Sequence, residues 1–194
     1  FADDKCGRHG PLSPRNANTM WMLHFLSHLK DDGTAGFVMA TGELSNGETA
    51  RLEVRKALVD HDCVDCIIQL TGQLFANTQI PCSLWFLSKN RAGGNNYRKR
   101  TGEVLFIDAR KLGTLIPGSR KQKELSADEV RRVADIYSAF KREKAPEAVL
   151  GFCRTATVAE IRDDRYALSP GRYVGSPDAD GDEVSLEELL PRLV

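Results

Sequence analysis

The chain has 194 residues, 41% of them hydrophobic and 7% aromatic, with 27 basic residues against 27 acidic ones. That length and apolar content exclude wholesale disorder and suffice for a domain with a proper core, while a formal charge of zero names no partner. Five scattered cysteines (Cys6, Cys63, Cys66, Cys82, Cys153) make a poor disulfide framework, no secretory signal opens the chain, and no apolar run nears the roughly 20 residues a membrane helix needs. These features predict a cytoplasmic protein with no membrane partner.

Residues 1–15 hold Gly7, Gly10, Pro11 and Pro14 and are predicted to be irregular. NANTMWMLHFLSHLK then places Trp21, Phe25, Leu26 and Leu29 at helical spacing, with Asn16 or Asn18 as cap and Gly33 as stop. AGFVMA (35–40) is apolar throughout and bounded by glycines, the pattern of a strand covered on both faces. A second helix is predicted from Glu48 to Asp60, with Ala50, Val54, Ala57 and Leu58 on one face, followed by strands VDCIIQL and IPCSLWFL. The nine residues from Thr71 to Gln79 are too few for a crossover helix, so the second of these strands returns antiparallel. The expected result is an otherwise parallel sheet with an antiparallel last strand. EVLFIDA reads as a further strand, and Ser126 with Glu129 forms a capping box opening a helix whose Val130, Val133, Tyr137 and Phe140 share a face. TVAEIR and SLEELLPRL are short helical candidates in a C-terminal extension.

Charge is unevenly placed. Between Lys89 and Lys123 ten basic residues face two acidic ones, a local balance of +8, whereas Asp178 to Glu188 is acidic without a base. Cys63 and Cys66 form a C-x-x-C with no second pair to complete a zinc site, and read as small hydrophobes at the start of a buried strand. His24 and His28 have the spacing of H-E-x-x-H but lack its glutamate. SPGRYVG (169–175) has turn chemistry followed by an exposed-looking Arg172 and Tyr173, readable as an interface or as a plain turn.

Taken in order, NAN at 16–18 with Trp21 and His24, then GTAGFVMATG, EVRKAL, LTGQLFANTQIPCSLWFL, EVLFIDAR, LGFC and LSPGRYVG closely resemble the second half of the methylation subunit of type I restriction-modification systems. Those subunits are adenine-specific DNA methyltransferases that use S-adenosylmethionine. The likeness runs from about Asp3 to Val174. It implies an α/β fold: the C-terminal half of a Rossmann-like class I methyltransferase sheet plus a small α+β extension. The implied parts are the later half of the catalytic domain (1–90), a basic loop with an extra strand and helix (91–150), and an extension with a possible subunit contact (151–194).

The family's glycine-rich cofactor turn and its N-P-P-F type catalytic turn are missing from this sequence, which resembles the family from just downstream of the latter. The chain, which begins at Phe1, is thus expected to be a fragment, neither binding S-adenosylmethionine tightly nor methylating alone.

Resemblance also gives roles. An adenine must leave the stack before its amine is methylated, and related enzymes hold it with an aromatic from the loop occupied here by Phe75. Thr41, Thr78 and Gln79 are the implied pocket lining, and Arg98, Lys99 and Arg100 the expected phosphate contacts. The alternative for Phe75 is an anchor folded under its own loop. Implied partners are DNA and the specificity and restriction subunits; the alternative to an enzyme part is a non-catalytic assembly module that docks one of those subunits.

Overall fold

The structure, a computed structural model, describes residues 17–175. The predicted entry loop, Cys6, the acidic run and the SLEELLPRL helix lie outside the described residues.

Helix α1 spans Ala17–His28 and buries Thr19, Met22, Leu23 and Leu26. Trp21, expected on the packed face, is instead 44% exposed. The helix is apolar on nearly every side, so spacing alone did not choose which stripe faces the sheet. Strand β1 (Thr34–Ala40) leads through a 3-10 turn (Thr41–Leu44) into α2 (Thr49–Asp60), which buries Val54, Leu58 and Val59. There follow β2 (Val64–Leu70), β3 (Cys82–Ser88) and β4 (Glu103–Ala109). A hairpin of two short strands, β5 (Thr114–Leu115) and β6 (Lys123–Glu124), precedes helix α3 (Ala127–Arg142). Strand β7 (Cys153–Thr157) and helix α4 (Val158–Asp163) complete the elements before a final 3-10 turn at Pro170–Arg172.

The main sheet has the order β1-β3-β2-β4-β7. β3 is antiparallel to both its neighbours, with Ala40 opposite Cys82 and Thr34 opposite Ser88 on one side and Ile67 opposite Trp85 on the other. β2 runs parallel to β4, and β4 antiparallel to β7. The expectation of a parallel sheet with one antiparallel strand is therefore corrected to a mixed α/β fold whose sheet is mostly antiparallel. The helical crossover through α2 does keep β1 and β2 pointing the same way. The short loop after β2 then drops β3 into the gap between them, and β7 adds an antiparallel pairing at the far side.

Each sheet face has its own core. Met39, Val64, Ile67, Trp85, Leu87, Val104, Phe106 and Ala156 pack under α1 and α2. Cys66, Ile68, Leu70, Cys82, Leu105, Ile107 and Ala109 pack with Phe140 of α3. β2 is buried almost throughout because both layers cover it, as an unbroken apolar run requires. β1 is not. It pairs with β3 alone among the described residues, and Gly36, Val38 and Ala40 are exposed, so the strand expected to be covered on both faces is a half-open edge.

Candidate functional site

Strands β1, β2 and β4 share one direction, which brings their carboxyl ends (Ala40, Leu70 and Ala109) to one end of the sheet. In α/β sheets that end is where loops converge on ligands. Three connections meet there: the 3-10 turn after β1, the loop Thr71–Pro81 after β2, and the hairpin after β4.

The loop after β2 is a short ladder. Gln73 N–H donates to the Gln79 carbonyl at 3.3 Å, and Thr78 N–H to the Phe75 carbonyl at 3.4 Å. Thr78 Oγ1 accepts from Ile80 N–H at 3.2 Å. Gly72 is needed for this closure, since an added Cβ would stand 2.6 Å from the Gln79 carbonyl oxygen. The turn holds Phe75 46% exposed. Beside it opens a cavity of about 320 Å³ lined by Asn18, Val38 to Ala40, Phe75, Thr78 and Ile80 to Cys82, near the lower limit for small-molecule sites. Phe75 and Thr78 are thus brought together on one hollow. Thr41 follows directly on the lining residue Ala40, and Gln79 is exposed on the loop, but neither borders the cavity.

Sequence reasoning missed the supports of the turn after β1. The Glu43 carboxylate is buried, accepting from Asn18 Nδ2 at 2.8 Å and facing Arg51 Nη1 at 3.3 Å. Buried Arg55 donates to the backbone carbonyls of Glu43, Asn46 and Tyr166. Burial lowers the Arg55 pKa, while the nearby Glu43 charge acts to raise it. In the sequence these residues look like any solvated charges on a helix and a loop. The only signal was Asn18, within the NAN block.

The predicted phosphate contacts fare unequally. Arg100 is corrected: its guanidinium is 1% exposed and donates to Asp65 through Nε at 2.7 Å and to Ser88 Oγ at 3.2 Å. Arg98 is committed to Glu103 Oε2 at 2.6 Å and to the Phe140 carbonyl at 2.6 Å. Lys99 is exposed. All three belong to the loop between β3 and β4, at the opposite end of the sheet from Phe75. Seven-residue strands set the two ends about 20 Å apart.

The C-x-x-C thiols are buried, and burial pushes Cys63 up to about 11 and Cys66 well above its ordinary value. Such thiols are inert packing groups. The His24 and His28 rings lie 4.2 Å apart, tilted by 46° to one another, and no cluster of potential metal ligands exists among the described residues. Tyr173 is not exposed: its ring stacks on Phe106 at 4.1 Å and its hydroxyl donates to the Ala167 carbonyl, so for the tyrosine the plain-turn reading holds. A larger cavity of about 450 Å³ lies under α3, lined by Leu70, Leu84, Phe86, Val133 and similar residues. Lys141 at its border donates to Thr34 Oγ1 at 3.1 Å and faces the rings of Tyr97 and Tyr137. It offers no convergent set of free polar groups.

For S-adenosylmethionine, the strand-to-helix connection described here, between β1 and α2, has Gly42 and Gly47, and an added Cβ at either would touch nothing within 4 Å. Neither glycine is part of a close-fitting nucleotide cradle of the kind such turns provide.

The chain is 37% identical over 193 residues to the HindI type I restriction enzyme methylase subunit of Haemophilus influenzae, a match covering 100% of this chain and 42% of that protein. It is 41% identical over 168 residues to the MjaIX methylase subunit of Methanocaldococcus jannaschii, covering 85% and 29%. The crystal structure of a type I methyltransferase subunit from Streptococcus thermophilus superposes with a TM-score of 0.75 at 30% identity, covering 90% of this chain and 34% of that one. The chain therefore spans less than half the length of these relatives. Residues 2–182 match the family described as N-6 DNA Methylase, and the chain belongs to that family.

Proposed function

We propose that this chain forms the base-holding side of an N6-adenine DNA methyltransferase, the methylation subunit of a type I restriction-modification system. The observation that carries the reading is Phe75: a half-exposed ring beside a hollow, on a loop at the carboxyl ends of the parallel strands, in a member of this family. A flipped adenine stacks on that ring, with Thr78 at its rim and the turn from Thr41 beyond. S-adenosylmethionine and the catalytic turn belong to the part of the longer relatives that this chain does not match. The sheet is the later half of a Rossmann-like sheet, and the open edge of β1 supports this by offering a place for a further strand. Of the cations at 98–100, only Lys99 remains free to meet a phosphate. DNA and the specificity and restriction subunits are the proposed partners, in the cytoplasm.

Base–aromatic stacking contributes roughly 1–3 kcal/mol. Phe75→Ala in the full-length methylase, assembled with its specificity subunit, is therefore expected to lower methyl transfer to DNA about 5- to 150-fold. Affinity for S-adenosylmethionine should stay within about twofold, and Phe75→Tyr should retain most activity. Undiminished methylation by the alanine variant would refute the stacking role and leave the assembly-module alternative.

A further inference from the structure

The +8 segment between Lys89 and Lys123 is one run in sequence but two places in the fold. Its first half lies in the loop between β3 and β4, and its second half in the hairpin between β4 and α3, at the Phe75 end. The two halves also differ in how their charge is compensated. In the first, Arg91 is paired with Asp62 and Asp65, Arg98 with Glu103 and Arg100 with Asp65, Lys89 Nζ donates to the Leu29 carbonyl at 2.7 Å, and Lys99 alone is exposed without an ion pair among the described residues. In the second, Arg110 is tied to Asp108, but Lys111, Arg120 and Lys121 are exposed and make no ion pair among the described residues.

This hairpin is tethered to the Phe75 loop. Lys123 N–H donates to the Gln73 carbonyl at 2.8 Å, and Lys123 Nζ stands 3.4 Å from Thr71 Oγ1. Its own base is closed by Ile116 N–H to the Gln122 carbonyl at 2.9 Å and by Gly113 N–H to Glu129 Oε1 at 2.9 Å. Gly113, at φ +84°, fits a gap where a Cβ would lie 3.2 Å from the Glu124 carbonyl oxygen and 3.3 Å from Thr71 Cγ2. The backbone that carries these three uncompensated cations is thus tied to the loop that carries the ring.

We propose that Lys111, Arg120 and Lys121 form a strip that contacts the phosphate backbone of the DNA flanking the extruded base. The inference rests on the proposed methylase function and goes beyond it by assigning the backbone contact to the hairpin. Side chains of this kind fix position on a duplex without reading sequence, which suits a subunit whose partner reads the sequence. A phosphate held by the same rigid unit as Phe75 sets where along the strand the base leaves the stack.

The test is DNA binding by the full-length methylase with its specificity subunit, measured by fluorescence anisotropy across a salt series. Each lost phosphate contact reduces the slope of log affinity against log salt by about 0.9. Lys111→Gln/Arg120→Gln/Lys121→Gln should lower that slope by about 2 to 3 and weaken binding equally for specific and unrelated duplexes. Lys111→Arg/Lys121→Arg should keep the wild-type slope. Lys30→Gln/Lys144→Gln, at the other end of the sheet, should also keep it. An unchanged slope in the triple variant, while Phe75→Ala still lowers methylation, overturns the hairpin inference and leaves the proposed function standing. A slope reduced as much by the arginine variant overturns it too, because the loss would then be structural. Wild-type protein that neither binds nor methylates DNA removes both.

Discussion

Asp65 sits at the β-bulge between Val64 and Cys66, fully buried, where one carboxylate receives Arg91, Arg100 and the Tyr137 hydroxyl at 2.9 Å. Burial pulls Arg91 down to about 10, opposed by the charge of Asp62, so the guanidinium keeps its proton at neutral pH. The cluster locks the loop between β3 and β4 onto the sheet, turning much of an apparently solvated basic run into interior structure. Removing one partner of a buried ion pair typically costs about 3–5 kcal/mol, because the remaining charge stays buried. Asp65→Ala is accordingly expected to destabilise the protein by that amount in urea unfolding; a loss below about 1 kcal/mol would mean that the arginines find water instead. None of this was visible in VDCIIQL, which reads as an apolar strand with nothing to say what its one aspartate pairs with. At Phe75 the opposite held. Its placement in a polar loop between two strands was legible, while its exposure and the hollow beside it came only from the way Val38, Ile80 and Pro81 gather around the turn.

Among the elements, those with a local cause were the most readable. The helix α3 begins where Ser126 and Glu129 predict it, with Ser126 Oγ accepting from Glu129 N–H at 3.2 Å and Glu129 accepting from Ser126 N–H at 2.8 Å. Glu129 also accepts from Gly113 N–H, and these backbone bonds depress its pKa. Ser126→Ala should destabilise the chain by about 1 kcal/mol, lowering its thermal midpoint. Ser126→Ala leaves the backbone N–H donors to Glu129 in place, so the pH test is Glu129→Gln: because a depressed carboxyl contributes stability that is complete above its unfolded pKa and lost as pH falls through its folded one, the midpoint difference between this variant and the unsubstituted chain should shrink below the ordinary carboxylate range. A difference equal at pH 7 and pH 3 would count against the reciprocal cap. By contrast, β5, β6 and β7 were not predicted. The hairpin strands are two residues each, and β7 (CRTAT) has no strong alternation; both form because a neighbouring strand or loop supplies partners that local sequence does not reveal.

At the level of the whole molecule, the open flank of β1 is the least satisfied feature. A strand with one unpaired side and with Val38 49% exposed invites pairing with another chain. The 194-residue chain alone is expected to self-associate with rising concentration in sedimentation velocity, and Val38→Lys to shift it toward monomer. A strictly monomeric unsubstituted chain would show that the edge needs no cover. Among the described residues no helix is long and apolar enough to cross a membrane.

By itself the sequence determined the family, the positions of most strands and helices, and the placement of Phe75 in a loop between two strands, because these depend on residue order, periodicity and local capping. It could not determine which end of the sheet a charge occupies, which arginines are neutralised by a buried aspartate, or that β3 lies between β1 and β2. Those are consequences of pairing between segments far apart in the chain. The direction in which each strand runs decides which loops share an end, and so separates Arg98 to Arg100 from Phe75 and brings Lys111, Arg120 and Lys121 to it.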